Sequence, residues 1–488
     1  MLNTKAFTLV IVFSFLSINK ATASPLTLRE TIRQAIENNL DVKFSEYSVK
    51  EKEGNFEKTI GEFDLNMNLG WIYDEDETPS ASSLNGNGKK SLNTINKTLS
   101  LSFDKKFETG TQVRLPYSYL IANSDSTSRT IRTTHEPSFG IEISQPLLRI
   151  FSKNHFIKDF MNKGYDFEAA AKEHGQKINE TIYKSIDLFY ELLQERKVMY
   201  LRKHSYENSL KDLEFVQKKQ QIGKASKIDL LDARSKSSKK EEVYLNTESN
   251  YYKLQKEFSN YVFSDPTRDV VLIATDIELE DPPQMENLNK LIEESIENRS
   301  DYKQRLAELK KATLNRHTSS FDRLPKVELD TDLTFKGLNQ NFQNSHEEVS
   351  DFEYTSWKGE INIEQPLFMY AKRSSFKMAK LKLEQANLKL SQLKQDIALE
   401  LQTSFKNINA HFNRVKALKL SLAAEKEKMK FSRAKYHLGK LSVFEFNQEL
   451  ENYEQIEVDL IKAQVSYIMA KYTLSKTKGV IAKEIESL

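Results

Sequence analysis

The sequence predicts a mainly α-helical chain made of two structural repeats, each with a few β-strands that cross a membrane. Only 14 Gly and 10 Pro occur among 488 residues, which indicates long uninterrupted helices. Elsewhere apolar and polar residues alternate over segments long enough to span a bilayer. Three segments of the first half reappear in order in the second: 27–43 at 287–303, 143–147 at 363–367, and 222–229 at 438–445. A duplicated chain predicts a pseudo-symmetric body, with function where equivalent elements converge on a pore axis.

The N-terminus predicts an export signal. Lys5 supplies positive charge, Ala6–Ile18 form a short apolar run, and Ala21, Thr22 and Ala23 fit a cleavage site. Residues 1–23 are therefore assigned to a signal peptide. Removing its two lysines takes the formal charge from +2 to 2 − 2 = 0, so the sequence predicts no nucleic-acid partner.

The remaining composition excludes several kinds of anchor and site. The chain has no Cys, which excludes disulfides, thiolate metal sites and a lipid-carrying N-terminal Cys. After the signal, no stretch approaches the roughly 18 to 20 apolar residues that a membrane helix needs. No cofactor is expected. The eight His show no metal-binding grouping, and Gly86-Asn87-Gly88 lies in a polar loop, so the sequence predicts no enzyme.

The first repeat is expected to begin with helices and continue with strands. Thr27 and Glu30 form a capping box that opens a short helix. Alternation from Phe63 to Tyr73 then predicts a strand of about 11 residues. A polar run at 74–96 predicts a long exposed loop. Three more alternating segments follow, and Pro116 in the second of them favours an edge strand or a bulge.

The second repeat predicts two strands and then a long helical rod. Gln-Pro pairs at 145–146 and 365–366 stand where a returning strand should end. Residues 374–437 contain no Pro or Gly and place apolar residues at coiled-coil spacing, and 154–221 form a similar rod. Each rod reverses at a glycine, Gly223 or Gly439, and a second helix returns.

By this point the order of elements, both Gln-Pro-Leu corners and both Gly-x-x-Ser-x-x-acid turns resemble the TolC-like outer-membrane efflux proteins. The stretch from Tyr436 to Glu445 is the most specific part. The resemblance implies a homotrimer in which a β-barrel in the outer membrane continues into a periplasmic α-helical coiled-coil barrel. Independently, four to six strands are fewer than the roughly eight needed to close a barrel, so several chains are required.

With this resemblance, the chain divides into eight expected segments. They are a signal peptide (1–23), first N-terminal helices of an equatorial region (24–62), first-repeat membrane strands with an extra hairpin and exposed loops (63–148), a first long helical hairpin (149–262), a linker (263–286), second-repeat short helices (287–325), second-repeat membrane strands (326–368), and a second long hairpin with the C-terminus (369–488).

The expected pore gate lies at the two helical turns. Ser226 with Asp229, and Ser442 with Glu445, satisfy the capping-box pattern, so both acids are expected to cap helices. The resemblance adds that Glu445 helps form an acidic ring at the periplasmic constriction and that Asp229 joins the bonds holding the tips shut. A threefold ring of carboxylates would attract cations.

The resemblance also places further residues in the gate and limits it. The gate tyrosine of this family corresponds to Tyr436, for which simple packing is the alternative. The position of a second acidic ring residue is occupied by Gln448, although Asp232 could add charge. The position of the basic gate residue is occupied by Leu441. We therefore expect a gate with fewer charged bonds.

Two more surfaces follow from the sequence. The turn residues Gly223, Lys224, Gly439 and Lys440 are candidates for docking a periplasmic adaptor, with ordinary turn chemistry as the alternative. Five strand aromatics could form a girdle at the membrane interface, or could pack in a core: Trp71, Tyr73, Tyr117, Tyr119 and Trp357.

The expected function is an outer-membrane exit duct of a tripartite efflux or type I secretion system, with its helical part in the periplasm. Energy would come from an inner-membrane pump or ABC transporter through an adaptor. The alternative is a periplasmic coiled-coil adaptor or scaffold without a membrane barrel. The sequence leaves open the cargo, the partner pump and whether the extra hairpin at 98–121 joins the barrel.

Overall fold

The computed structural model describes residues 26–79, 91–125, 130–148, 154–273, 280–284 and 287–486. The expected signal peptide and Gly86-Asn87-Gly88 lie outside these residues. The chain divides into two compact units. The helical unit contains residues 1–42, 178–286 and 401–488, and the sheet unit contains 43–177 and 287–400.

Helices account for most of the described chain. They are α1 (Leu28–Asn38), α2 (Leu40–Ile60), α3 (Lys158–Gln221), α4 (Lys227–Phe263), α5 (Leu288–Asn298), α6 (Ser300–Phe321), α7 (Phe342–Ser350), α8 (Tyr370–His437), α9 (Val443–Lys478) and α10 (Ile481–Glu486). In the part that the structure describes, no helix is both long and apolar enough to cross a membrane. The predicted long rods are confirmed, because α3 has 64 residues and α8 has 68.

Six strands form one antiparallel sheet in the sheet unit, in the order β1-β2-β3-β4-β5-β6. They are β1 (Leu65–Pro79), β2 (Ser91–Lys106), β3 (Gln112–Ser124), β4 (Thr133–Pro146), β5 (Lys326–Lys336) and β6 (Tyr354–Glu364). Four strands come from the first half of the chain and two from the second half, as the alternation predicts. The Gln-Pro pairs stand at the end of β4 and directly after β6.

The predicted loop at 74–96 is wrong at both of its ends. β1 continues to Pro79 and β2 begins at Ser91, so the two strands stay paired through Asp74 with Asn96 and as far as Pro79 with Ser91. Backbone ladder bonds need no apolar side chains, and polar cross-strand contacts add to them. One such contact is the 2.6 Å hydrogen bond from Ser91 Oγ to Glu77 Oε1.

The expectation that Pro116 marks an edge or a bulge is also wrong. β3 is an interior strand between β2 and β4, and Pro116 lies opposite Ser102 of β2. On the β4 side, the pairs Arg114 with Glu142 and Tyr117 with Phe139 keep one register across the proline. The missing N–H therefore interrupts the ladder locally without shifting it.

The core of the helical unit lies where α1, α3, α4, α9 and α10 meet. Its largest fully buried side chains include Phe189 of α3, Phe258 of α4 and Ile481 of α10. The Thr27 capping box is confirmed, because the Thr27 hydroxyl accepts from the Glu30 N–H at 3.3 Å and the Glu30 carboxylate accepts from the Thr27 N–H at 3.1 Å. This places Ile32 and Ala35 against the core.

Candidate functional site

Both helical hairpins reverse through the same turn geometry. Gly223 and Gly439 adopt positive φ angles of 73° and 72°, the left-handed region that favours glycine. At the first turn, Gly223 N–H donates to Gln220 O at 3.0 Å and Lys224 N–H to Lys219 O at 2.8 Å. The second turn repeats these bonds, from Gly439 and Lys440, at 3.0 and 2.9 Å. Each rod therefore ends in a Schellman motif, which satisfies otherwise unpaired carbonyl groups.

The returning helices begin with the predicted capping boxes, which are confirmed. Ser226 Oγ accepts from the Asp229 N–H at 3.1 Å, and the Asp229 carboxylate accepts from the Ser226 N–H at 2.8 Å. In the second hairpin, Ser442 Oγ accepts from the Glu445 N–H at 3.2 Å and Glu445 accepts from the Ser442 N–H at 3.0 Å. The two carboxylates thus occupy equivalent positions at the starts of α4 and α9.

These caps make the first turns of α4 and α9 sensitive to acid. Hydrogen bonds from the Ser226 backbone and side chain lower the pKa of Asp229, and bonds from the Ser442 side chain and backbone lower that of Glu445. A carboxyl group whose pKa is lower in the folded state adds stability above its unfolded pKa. That stability is lost as the pH falls through the lowered value.

Ser442→Ala is therefore expected to reduce the acid sensitivity of α9 and to leave that of α4 unchanged. Hydrogen exchange of the first-turn amides, corrected for the intrinsic rate, should show α9 of the variant frayed at pH 7, since loss of a serine cap costs about 1 kcal/mol. In the wild type, fraying of both helices should appear only in acid. Full protection of α9 in the variant at pH 7 would contradict the capping role.

Tyr436 lies between the two hairpin tips and contacts both. Its ring stacks on Phe446, with centroids 4.5 Å apart and planes 8° apart, and the Lys219 ammonium lies 5.9 Å from its centroid. Burial raises the pKa of Tyr436, and the nearby carboxylates of Asp212 and Asp229 raise it further. The structure thus brings Tyr436 and Asp229 together, which the resemblance implies, and adds Asp212, Lys219 and Phe446.

The other predicted site residues lie on the outside of the tips within the single chain. Asp232 and Gln448 are exposed on the second turns of α4 and α9, and Leu441 is half-buried. The turn residues Gly223, Lys224, Gly439 and Lys440 are all exposed. Apolar side chains are exposed beside them, namely Ile222, Ile228, Leu438 and Phe444.

A buried ionic cluster behind the tips is absent from the sequence-based site. Glu454 of α9 pairs with Lys240 of α4, and its Oε1 accepts a 2.6 Å hydrogen bond from the Ser205 hydroxyl of α3. Arg202 of α3 lies 3.9 Å from the same carboxylate and donates to Gln455 at 3.4 Å. Only 14% of the Glu454 side chain and 12% of that of Lys240 are exposed.

One helical turn nearer the tips, Lys236 of α4 donates to the side chain of Asn447 of α9. Burial, and then the charge of Lys240, lowers the pKa of Lys236. Polar residues at positions 236, 240, 447 and 454, four and seven apart, are the signal that could have identified this cluster, because coiled-coil spacing places them at the helix contact. We call Arg202, Ser205, Lys236, Lys240, Asn447 and Glu454 the polar cluster.

The strand aromatics separate into two groups. Trp71 and Trp357 are exposed in the chain, so they do not pack in a core. Tyr117 and Tyr119 instead contact α7, where the Tyr117 hydroxyl lies 2.9 Å from His346 Nε2 and Tyr119 packs edge-on against Phe342. In the described residues, no group of three or more His, Cys, Asp or Glu could hold a metal ion.

Comparison with solved structures shows the fold. The Campylobacter jejuni CmeC outer membrane channel is 14% identical, with a TM-score of 0.68, over 100% of this chain and 97% of that one. The outer membrane protein VceC from Vibrio cholerae is 11% identical, with a TM-score of 0.66, over 93% and 96%. The open state of the Neisseria gonorrhoeae MtrE outer membrane channel is 11% identical, with a TM-score of 0.66, over 93% of this chain and 89% of that one.

Sequence comparison agrees with the fold. Residues 291–480 match the family model for outer membrane efflux proteins. No curated protein matches the sequence significantly. The matched residues include the second hairpin, with Tyr436, Gly439 and Glu445. Residues 291–480 are thus similar to the outer membrane efflux proteins, and the chain as a whole has the fold of outer membrane channels.

Proposed function

We propose that this chain is the outer-membrane exit duct of a tripartite efflux or type I secretion system, with its helical part in the periplasm. The observation that carries the proposal is the family match over residues 291–480, joined to a two-faced membrane-length sheet. The duct is a passive conduit and carries out no catalysis. A homotrimer supplies the strands that one chain lacks.

The two faces of the sheet favour the exit-duct function over the alternative of a periplasmic scaffold. Alternate residues place Leu69, Leu101 and Phe139 on one face, and Asp104, Arg114 and Glu142 on the other. An apolar face suits lipid and a charged face suits a water-filled lumen. The shortest strands have 11 residues, which is the length that a tilted strand needs to cross a bilayer. A periplasmic adaptor or scaffold has no membrane barrel and therefore does not require strands of this length and pattern.

The hairpin tips form the periplasmic gate and the docking surface. In a threefold assembly, Glu445 and Asp229 would each form a ring, and Tyr436 would link the two hairpins of one chain. The exposed Gly223, Lys224, Gly439 and Lys440 would receive the helical hairpin of a periplasmic adaptor, through which an inner-membrane pump or ABC transporter supplies energy. Trp71 and Trp357 would meet the membrane interface as part of an aromatic girdle.

Single-channel recording in planar bilayers tests the duct and its acidic entrance together. The wild type is expected to form small, cation-selective channels. Glu445→Gln removes the charge and retains a residue that can complete a capping box, whereas Glu445→Ala removes both. Both variants should therefore lose cation selectivity. Asp229→Asn and Asp229→Ala form the matched pair at the other tip, where opening should become more frequent.

The pairs of variants separate the gate from the cap. If only Glu445→Ala and Asp229→Ala alter selectivity or opening, the two carboxylates act as helix caps. The proposed acidic ring is then wrong, while the exit-duct function still stands. If a well-folded, detergent-extracted trimer forms no channel at all, the duct itself is wrong and the scaffold replaces it.

A further inference from the structure

The first repeat contains a hairpin that the second repeat lacks. β5 and β6 are neighbours in the sheet, whereas β1 and β4, their counterparts in the first repeat, are separated by β2 and β3. Every residue of β1 pairs with β2, from Leu65 with Lys105 to Pro79 with Ser91. β3 pairs with β2 on one side and β4 on the other. The inserted hairpin is therefore an interior part of the sheet.

The apolar face of the sheet runs through the inserted hairpin without a break. Directly opposite residues form one row across all six strands: Leu69, Leu101, Tyr117, Phe139, Phe335 and Thr355. A hairpin lying on the surface or folded into the mouth of a pore would meet water on both faces. Apolar side chains on one face of β2 and β3 instead match a strand that faces lipid, with α7 packed over Tyr117 and Tyr119 on that face.

The polar face is equally continuous. A second row of directly opposite residues consists of Asn66, Asp104, Arg114, Glu142, Asp332 and Lys358. Arg114 of β3 lies 3.3 Å from Asp104 and 3.8 Å from Glu142, so it joins the hairpin to β4 by a charge pair. Asn68 of β1 donates to Asp104 at 2.6 Å. The polar side chains of the hairpin thus interact with strands on both sides.

The two edges of the sheet fit a second copy of the chain. β1 and β6 are the terminal strands, with 15 and 11 residues, and their apolar side chains are exposed, by 68% at Leu69 and 80% at Trp357. A long apolar edge of this kind is a template for pairing with another chain. Because the strand number is even and every neighbour is antiparallel, β6 of one copy meets β1 of the next in an antiparallel ladder.

We propose that β2 and β3 are wall strands of the membrane barrel, and that three copies close it by pairing β6 of each with β1 of the next. Three chains of six strands give eighteen. The inference rests on the proposed trimeric duct. With strands about 4.8 Å apart and tilted by about 40°, eighteen strands enclose a backbone diameter of about 36 Å, against about 24 Å for twelve. The inserted hairpin thus widens the outer end of the duct.

Cysteine cross-linking can test the strand order, because the natural chain has no Cys. Ser118→Cys with Ser138→Cys lies directly opposite across β3 and β4 and should cross-link within one chain. Asn68→Cys with Ser138→Cys is the contrasting pair, and it should remain unlinked because β2 and β3 separate its strands. Lys358→Cys combined in turn with Asn66→Cys, Asn68→Cys or Gly70→Cys tests the seam, and one combination should give a covalent trimer on denaturing gels.

The outcomes separate this inference from the proposed function. A seam cross-link together with the Asn68–Ser138 cross-link, in place of Ser118–Ser138, would overturn the inserted hairpin and leave the duct intact with twelve strands. If folded protein in the membrane gives no covalent oligomer from any seam pair, the closed barrel and the proposed duct both fail.

Labelling of a cysteine from outside the cell tests the width of the barrel lumen. Asp332→Cys lies on the polar face and should react with maleimides attached to polymers too large for a twelve-stranded lumen. Replacing residues 91–124 by a short turn would join β1 directly to β4, and labelling by these large reagents should then be lost while small maleimides still react. Equal exclusion of the large reagents from both proteins would overturn the wider barrel.

Discussion

Glu454→Ala is expected to lower the free energy of unfolding of the helical unit by about 3 kcal/mol, because it breaks a buried charge pair. The variant leaves Lys240 without its carboxylate partner and removes the acceptor of the Ser205 hydroxyl. Burial prevents water from replacing these contacts fully. Chemical denaturation of the detergent-extracted protein, followed by circular dichroism, would measure the change.

An exposed ion pair of the same unit provides the control. Glu214 accepts from Lys218 at 2.7 Å, with both side chains well exposed, so Glu214→Ala should have no measurable effect. The double variant Glu454→Leu, Lys240→Leu should recover part of the loss, since apolar residues can replace a buried pair. Equal effects of Glu454→Ala and Glu214→Ala would show that the polar cluster contributes nothing to stability.

Phe189→Ala is expected to destabilise the helical unit by about 3–5 kcal/mol, through lost burial and the cavity that remains. The Phe189 side chain is fully buried and packs edge-on against Tyr190, with ring centroids 5.5 Å apart. Thermal unfolding followed by the circular dichroism of the helices would measure the loss of stability.

The same substitution at an exposed phenylalanine separates burial from helix propensity. Phe444 of α9 is 76% exposed, so Phe444→Ala should change the unfolding temperature little. Phe189→Leu should lie between the two, because leucine fills most of the space. A Phe189→Ala variant as stable as Phe444→Ala would mean that this core does not hold the unit together.

Local patterns predicted most of the elements because their periods are distinct. The alternation of Val327, Leu329 and Leu333 identifies β5, and the absence of Pro and Gly from 374–437 identifies α8. Both caps at Ser226 and Ser442 follow from four-residue patterns whose bonds form within one turn.

The sequence did not predict the features that depend on distant partners. The polar extensions of β1 and β2 look like a loop, because their stability comes from a ladder rather than from apolar periodicity. Pro116 looks like an edge because the interior position of β3 is set by its neighbours β2 and β4. The spacing of Lys236, Lys240, Asn447 and Glu454 indicates positions at a helix contact but not their partners, because the polar cluster joins Arg202 and Lys240 to Glu454 across more than 200 residues.

The pairing of β4 with β5 has a consequence for export. β4 ends at Pro146 and β5 begins at Lys326, so 179 residues, from 147 to 325, separate two adjacent strands of one sheet. If the chain is exported as the proposed outer-membrane duct, starting from its N-terminus, it presents the β4 edge long before β5 arrives. An unpaired edge is a template for pairing with other chains, so the protein is prone to aggregate during that interval. The separation of β4 and β5 along the chain thus sets the time during which the sheet remains incomplete.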